Sequence, residues 1–190
     1  MTTLTARFDE AFRYAHELHG AQRRKGNESP YLGHLMGVAS IVLDDGGSED
    51  EAIAALLHDA AEDHGGRARL EEIRSRFGDA VATIVEDCTD SWETPKRPWA
   101  DRKREYIEHA RSLPPGSLRV AAADKVHNAY AILRDLRNVG EQVWTRFNAP
   151  ADDVIAYYAG LVRAMRASGG GKLVDELDRI VKGIEREMGY

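Results

Sequence analysis

The sequence predicts an all-α protein. Apolar residues recur at spacings of three and four along most of the 190 residues, which is typical of helices that bury one face. No segment shows the sustained two-residue alternation of a half-buried strand. Glycine and proline clusters interrupt the helical pattern, as expected where helices end. We therefore expect one all-α domain spanning residues 1–190.

The N-terminal half contains five predicted helices. Ser48 and Glu51 have the spacing of a capping box, in which each side chain binds the other residue's backbone N–H. They begin the third helix, which we expect to continue to about Asp63. Glycines at 46–47 and 65–66 separate it from its neighbours. The five apolar stretches cover residues 8–18, 35–42, 52–63, 70–77 and 80–85.

The C-terminal half has the same helical character. Pro95 and Pro98 predict a loop over residues 89–99, and Pro114-Pro115 predicts a second break. The predicted helices cover residues 100–111, 118–136, a short segment around Trp144, 154–165 and 173–188. Gly169–Gly171 separates the last helix, which must dock on the others to bury its apolar face.

Composition narrows the functional classes. A net charge of −6 is not that of a typical nucleic-acid-binding protein, and the apolar runs are too short to cross a membrane. The N-terminus has no signal-peptide pattern, and the single cysteine, Cys88, suits a reducing compartment. We predict a cytoplasmic protein with neither nucleic-acid nor membrane partners. A homo-oligomer is compatible with the sequence, which does not define the number of subunits.

The strongest chemical signal is His58-Asp59 within the apolar stretch ALLHDAAED. Burying such polar groups without partners costs on the order of several kcal/mol. Glu62 follows His58 by four residues, and Asp63 follows Asp59 by four. On a helix, this spacing would bring all four groups to neighbouring positions. Because three clustered carboxylates repel one another, a bound divalent cation is the simplest explanation.

His34 and Asp124 are the best candidates for further metal ligands, because each interrupts an apolar helical pattern. Taken alone, His34 is more simply explained as a buried structural histidine. With His58 and Asp59, the set contains two imidazoles and two carboxylates. Four protein ligands would fill a tetrahedral zinc site, whereas an octahedral ion would keep about two positions open. We predict one Mn²⁺ per chain, with Fe²⁺, Co²⁺ or Zn²⁺ as substitutes.

Glu62 and Asp63 are the predicted catalytic residues. Carboxylates beside a metal centre can orient a water molecule and move its proton. Considered without His58-Asp59, the two acids would instead be read as a solvated helix end.

Four sequence blocks resemble the HD-domain superfamily and, within it, the alarmone hydrolases of the stringent response. The blocks are QRRKGNESPYLGH (22–34), ALLHDAAED (55–63), FGDAVATIVEDCTD (77–90) and ADKVHN (123–128). The resemblance implies a bundle of about ten helices around one Mn²⁺. It also implies a metal-dependent hydrolase that releases pyrophosphate from the 3′ position of guanosine tetra- or pentaphosphate, leaving GDP or GTP.

The resemblance assigns roles to specific residues. The implied metal ligands are His34, His58, Asp59 and Asp124, and the implied catalytic pair is Glu62 and Asp63. The implied substrate-binding residues are Arg23, Arg24, Lys25 and Asn128. Arg24 would pack on the base, Lys25 would approach a phosphate, and Asn128 would reach the ribose or base. The alternative for the basic triplet is a helix end that complements the helix dipole.

Two departures from the family pattern leave alternatives open. The family usually has an arginine followed by a threonine or aspartate, where this chain has Tyr130 and Ala131. These residues favour a phosphohydrolase acting on another nucleotide or metabolite, such as NADPH. A non-catalytic nucleotide-binding module is the third interpretation.

The charged segment 93–107 and the remaining histidines have weaker signals. Lys96, Arg102 or Lys103 could contact phosphate, although such a charge run is more often a solvated helix face. The histidines at 64, 109 and 127 match no two-metal pattern, so we interpret them as structural or surface residues.

Overall fold

The computed structural model describes residues 2–26, 28–92 and 95–190, which form ten α-helices and one 3₁₀ helix. The helices are α1 (Ala6–His19), α2 (Leu32–Asp44), α3 (Glu49–Leu57), α4 (Ala60–Asp63), α5 (Gly66–Phe77), α6 (Asp79–Cys88), α7 (Trp99–His109), α8 (Pro115–Val139), α9 (Ala151–Ala167) and α10 (Lys172–Met188). The 3₁₀ helix is Gly140–Arg146. Within these ranges the only β-type pairing is an isolated bridge between Arg23 and Pro30. The all-α prediction is confirmed. Asn27, in the sequence block 22–34, and Glu93 and Thr94, in the predicted loop, lie outside the described residues.

The start of α3 confirms the predicted capping box. The Ser48 side chain accepts the Glu51 N–H, and the Glu51 carboxylate accepts the Ser48 N–H. The predicted continuation of this helix to Asp63 is wrong, because the chain turns at His58-Asp59 before α4 begins. Asp59 has φ −95° and ψ −3°, and the His58 side chain bonds the Ala55 carbonyl that an Asp59 N–H would use in an α-helix.

Helix α8 is the longest helix described and carries much of the site. It begins with Pro115 at its first turn, where a missing N–H costs nothing. It ends at Gly140, whose φ of +62° is readily adopted only by a residue without a side chain. Between these ends, α8 packs against α2, α3, α6 and α10. Residues on α8 can therefore meet groups from several helices near the core.

The C-terminal helix docks as predicted. Gly169–Gly171 all have positive φ values, and this turn brings α10 back against α8 and α9. Gly183 permits close packing, since a Cβ there would lie only 3.0 Å from Leu133 Cδ2. The apolar face of α10 joins a buried cluster that begins in α1 and runs through the bundle. None of the helices in the described ranges is both long and apolar enough to cross a membrane.

Replacing Leu177 with alanine tests the contribution of α10 to stability. Leu177 is fully buried, so Leu177→Ala should lower the free energy of unfolding by about 2–5 kcal/mol. Urea unfolding followed by circular dichroism measures this change, with the exposed Lys172→Ala as the control. A loss below about 0.5 kcal/mol, as for an ordinary surface change, would contradict the docked position of α10.

Candidate active site

The four predicted metal ligands come together from three parts of the chain. His34 lies on α2, His58 and Asp59 form the turn between α3 and α4, and Asp124 lies on α8. The ligand atoms of His34, His58 and Asp59 all lie within 4.8 Å of one another. Asp124 Oδ1 is 3.3 Å from His34 Nε2 and 3.6 Å from His58 Nε2. This donor set of two imidazoles and two carboxylates can hold one divalent cation.

The His58 imidazole is oriented for metal binding. Its Nδ1–H donates to the Ala55 carbonyl at 2.8 Å, which leaves Nε2 with its lone pair directed at the cluster. Nε2 is buried and makes no hydrogen bond within the described residues, although Asp59 Oδ2 lies 3.0 Å away and Asp124 Oδ1 lies 3.6 Å away. A buried nitrogen in this position fits a metal ligand, because an unpaired polar atom is otherwise costly.

The His34 imidazole is oriented by a residue that sequence reasoning missed. Its Nδ1 lies 2.9 Å from Nδ1 of His127, which lies 3.2 Å from the Arg24 guanidinium. Because a guanidinium only donates, His127 Nδ1 accepts, and the proton between the imidazoles belongs to His34. Burial, with His34 and Arg24 nearby, lowers the pKa of His127 to about 4, consistent with a neutral acceptor. His34 therefore presents Nε2 to the cluster.

Gly37 on α2 makes room for this arrangement. A Cβ at Gly37 would lie 2.4 Å from His127 Nε2, closer than real contacts allow. The glycine lets the His127 ring reach His34. His127 lies three residues after Asp124 on α8, so the motif ADKVHN contained a signal for its position near the ligands.

The ligand carboxylates are held by donors around them. Asp124 accepts from Lys125 Nζ and from Asn128 Nδ2, both at 2.6 Å, and Asp59 accepts from the Tyr31 hydroxyl. Burial opposes the charge of Asp124, but Lys125 and the two histidine ligands hold its pKa well below the usual range. Asp124 is therefore an anionic ligand.

The predicted catalytic pair lies beside the cluster on α4. Glu62 accepts from Lys96 Nζ at 2.5 Å and from the Asp90 N–H at 3.2 Å. Burial raises the pKa of Glu62, and the nearby carboxylates of Asp90 and Asp59 act in the same direction. Lys96 Nζ also lies 3.5 Å from Asp63. Lys96 thus contacts both predicted catalytic acids.

Asp63 is also held through a network that sequence reasoning did not predict. Gln22 donates to Asp63 at 3.0 Å, and its amide oxygen lies 2.6 Å from Nδ1 of the fully buried His19. His64 Nε2 lies 3.2 Å from the same oxygen, which agrees with its structural interpretation. The network orients the Asp63 carboxylate.

A cavity of about 380 Å³ adjoins the metal-ligand cluster. Tyr31, Lys125 and Asn128 line it and also bind the ligand carboxylates. Its lining contains five basic residues and one acidic residue, although the chain has a net charge of −6. The basic residues are Arg24, Lys25, Lys103, Lys125 and Arg146, and the aromatic ones are Tyr31, Trp99, Phe147, Tyr157 and Tyr158. This cavity suits a small anionic ligand with a planar group.

Three of the four predicted substrate-binding residues lie at this cavity. Arg24 donates to Asn128 Oδ1 at 2.7 Å, and Lys25 donates to Asn148 Oδ1 at 2.9 Å. Arg23 is exposed and does not line the cavity, and its backbone instead pairs with Pro30. Of the two neighbouring arginines, only Arg24 therefore lines the cavity.

The chain matches the HD domain family over residues 11–155. It is 32% identical to the guanosine-3′,5′-bis(diphosphate) 3′-pyrophosphohydrolase MESH1 of Mus musculus, over 100% of this chain and 98% of that protein. The MESH1 enzyme of Xenopus tropicalis is 42% identical over 139 residues, which cover 72% of this chain and 73% of the relative.

Solved structures show the same architecture. A metazoan ortholog of SpoT that hydrolyzes ppGpp and plays a role in starvation responses matches with a TM-score of 0.76 and 29% identity, over 100% of this chain and 99% of that chain. The protein lmo0812 of Listeria monocytogenes EGD-e matches with a TM-score of 0.71 and 30% identity, over 80% of this chain and 99% of that chain. The helical bundle that surrounds the cluster therefore occurs in these proteins.

Replacing His127 with alanine tests its role in orienting His34. His127→Ala removes the acceptor of the His34 Nδ1–H, so affinity for Mn²⁺ should fall about 10–100-fold, the usual effect of losing such a partner. Titration calorimetry on the metal-stripped protein measures the affinity. Tyr130→Ala, on the same helix but 58% exposed, is the control. Equal affinities in the two variants would contradict this role.

Proposed function

The chain belongs to the HD-domain family and, within it, to the MESH1-type guanosine-3′,5′-bis(diphosphate) 3′-pyrophosphohydrolases, and on this premise we propose that it hydrolyses guanosine tetra- and pentaphosphate. The P–O bond to the ribose 3′ oxygen breaks, and the products are pyrophosphate and GDP or GTP. The observation that carries the proposal is a His–Asp metal-ligand cluster that adjoins a strongly basic cavity. A substrate with two diphosphate groups and a planar base matches both features.

The metal centre consists of His34, His58, Asp59 and Asp124, and the proposed ion is Mn²⁺. When bound, such an ion lowers the pKa of water and polarises a phosphoryl group. The mixed nitrogen and oxygen donor set supports Mn²⁺ over an ion that prefers oxygen alone. The chain supplies the fixed donors, since both histidines present Nε2 and Asp124 is held as an anion.

Glu62 is the proposed proton acceptor of the reaction. Its raised pKa makes it a better base than an ordinary surface carboxylate. Water loses a proton to Glu62 as its oxygen attacks the phosphorus at the 3′ position. Asp63, held by Gln22, is proposed to orient the water and to help return a proton to the departing 3′ oxygen.

The substrate occupies the basic cavity. Arg24 is proposed to pack on the base, Lys25 to approach a phosphate, and Asn128 to reach the ribose.

The departures at Tyr130 and Ala131 have different consequences. Tyr130 is 58% exposed and outside the cavity lining, whereas Ala131 lines the cavity. Arg146 also lines the cavity and supplies a cation that the family pattern places after the ADKVHN motif.

The remaining features of the proposal concern partners and location. Basic residues gather inside the cavity of an otherwise acidic chain, which supports a small anionic ligand over a nucleic acid. A cytoplasmic location stays a prediction of the sequence, and a homo-oligomer stays compatible with it. The role of Arg23 in substrate binding also stays a prediction, and its exposed position gives it no support.

Metal removal tests the proposed reaction. Metal-stripped protein should release GDP and pyrophosphate from guanosine tetraphosphate only after Mn²⁺ is added, because the cluster supplies no cation of its own. Anion-exchange chromatography resolves the products. His58→Ala and Asp59→Ala should lose both metal binding and turnover. Bound Mn²⁺ without release of GDP would contradict the proposed substrate and favour another nucleotide.

Replacing Glu62 with glutamine separates proton transfer from metal binding. Glu62→Gln should keep the bound metal and lower kcat by about 10²–10⁴-fold, the usual scale of general acid–base assistance. The metal content of each variant is measured beside its turnover. Glu86→Gln, an exposed acid elsewhere in the chain, should retain normal turnover. A normal kcat for Glu62→Gln would exclude Glu62 as the proton acceptor.

A further inference from the structure

Two lysines line the substrate cavity close to the reacting groups. Lys125 Nζ lies 2.6 Å from the metal-ligand carboxylate of Asp124. Lys103, on α7, pairs with Asp90, whose backbone N–H donates to Glu62 at 3.2 Å. Lys103 is therefore linked to Glu62 through Asp90, whereas Lys125 contacts the proposed metal ligand directly. Both lysines line the cavity beside these groups.

Each of these lysines shares its carboxylate partner with a second cation. The buried Asp90 carboxylate is shared by two cations, Lys103 and Arg102, with Arg102 Nη1 at 2.6 Å. Asp124 is both the partner of Lys125 and a metal ligand, so one carboxylate serves two cations there as well. Burial, with Lys125 nearby, lowers the pKa of Lys103. A bound anion would give each lysine a second partner, since a buried charge is stabilised only when it is paired.

Tyr157 adds an uncharged donor to the same wall of the cavity. Its buried hydroxyl finds no hydrogen-bond partner in the part of the chain that the structure describes. Lys103 Nζ lies 5.1 Å from the centre of the Tyr157 ring, and both residues line the cavity. The hydroxyl can donate to an oxygen of an anion bound by Lys103, which would satisfy it.

We propose that Lys103, Lys125 and the Tyr157 hydroxyl form a subsite for pyrophosphate, the group released from the 3′ position. The inference rests on the proposed function for the identity of the substrate. The cavity supplies the chemical argument, because two ammonium groups and a phenol hydroxyl can together bind a polyanion. Lys103 binds the diphosphate directly. Its sequence neighbour Arg102 lines a different cavity, where it pairs with Asp90 and donates to the Arg97 carbonyl.

Binding of inorganic pyrophosphate to the metal-loaded protein tests the subsite. Titration calorimetry is performed after free metal has been removed, so that the ligand binds only protein. Lys103→Met should weaken pyrophosphate binding by about tenfold or more, because a hydrogen bond to a charged group is lost. Asp90 keeps Arg102 as a partner in this variant, so its charge is not left unpaired.

Two further variants distinguish direct contact from general charge. Arg102→Met removes one positive charge beside the same carboxylate, but Arg102 does not line the substrate cavity. The affinity of this variant for pyrophosphate should therefore fall much less. Lys103→Arg keeps a cation at the cavity and should restore most of the affinity. Circular dichroism and metal content are measured for all three variants.

The outcomes separate this inference from the proposed function. Equal pyrophosphate affinity in wild type and Lys103→Met would overturn the subsite, as would equal losses in Lys103→Met and Arg102→Met. Turnover of guanosine tetraphosphate is measured in parallel. Absent turnover with Lys103-dependent pyrophosphate binding would refute the nucleotide substrate and support the subsite. Normal wild-type turnover without any pyrophosphate binding would refute the subsite and support the nucleotide substrate.

Discussion

The carboxylates of the half-buried Asp59 and the buried Asp124 are the constraint on which the rest of the site depends. Both lie among imidazoles in the interior of a helical bundle, where an uncompensated charge is costly. The surrounding structure compensates them on every side. Tyr31 donates to Asp59, and Lys125 and Asn128 donate to Asp124. A divalent cation held by the two histidines and the two carboxylates would complete the charge balance.

The clustering of His34, His58, Asp59 and Asp124 could be predicted from sequence because the constraint is visible there. A histidine or aspartate that interrupts an apolar helical pattern must be buried, and a buried ionisable group requires a partner. Helical periodicity likewise predicted most elements and the docking of α10. The turn at His58-Asp59 could not be predicted, since it depends on a side-chain contact with Ala55 rather than on a helix-breaking residue. His58 and Asp59 continue the helical pattern in the sequence, but they separate α3 from α4 in the structure.

Residues that act through other residues were the harder part. His127 carries no ligand signal of its own, and its role depends on Gly37 leaving space on the facing helix. The basic positions were ambiguous for a related reason, since a run of cations does not reveal which face of a loop or helix turns inward. Arg24 faces the cavity while Arg23 does not, and Lys103 lines the cavity while Arg102 lines another. Such choices depend on the rotation of each segment about its own axis, which packing determines.

Helix α8 explains how one short motif can serve the metal and the phosphate together. Asp124 and Lys125 are consecutive, so their side chains leave the helix about 100° apart, according to its period of 3.6 residues. The Asp124 side chain therefore contacts the histidines. The Lys125 side chain lines the cavity, and its ammonium group contacts Asp124. Asn128, one turn later, repeats this connection with Asp124. Because the same helix sets both directions, a phosphate bound at Lys125 would lie beside the proposed metal ligands.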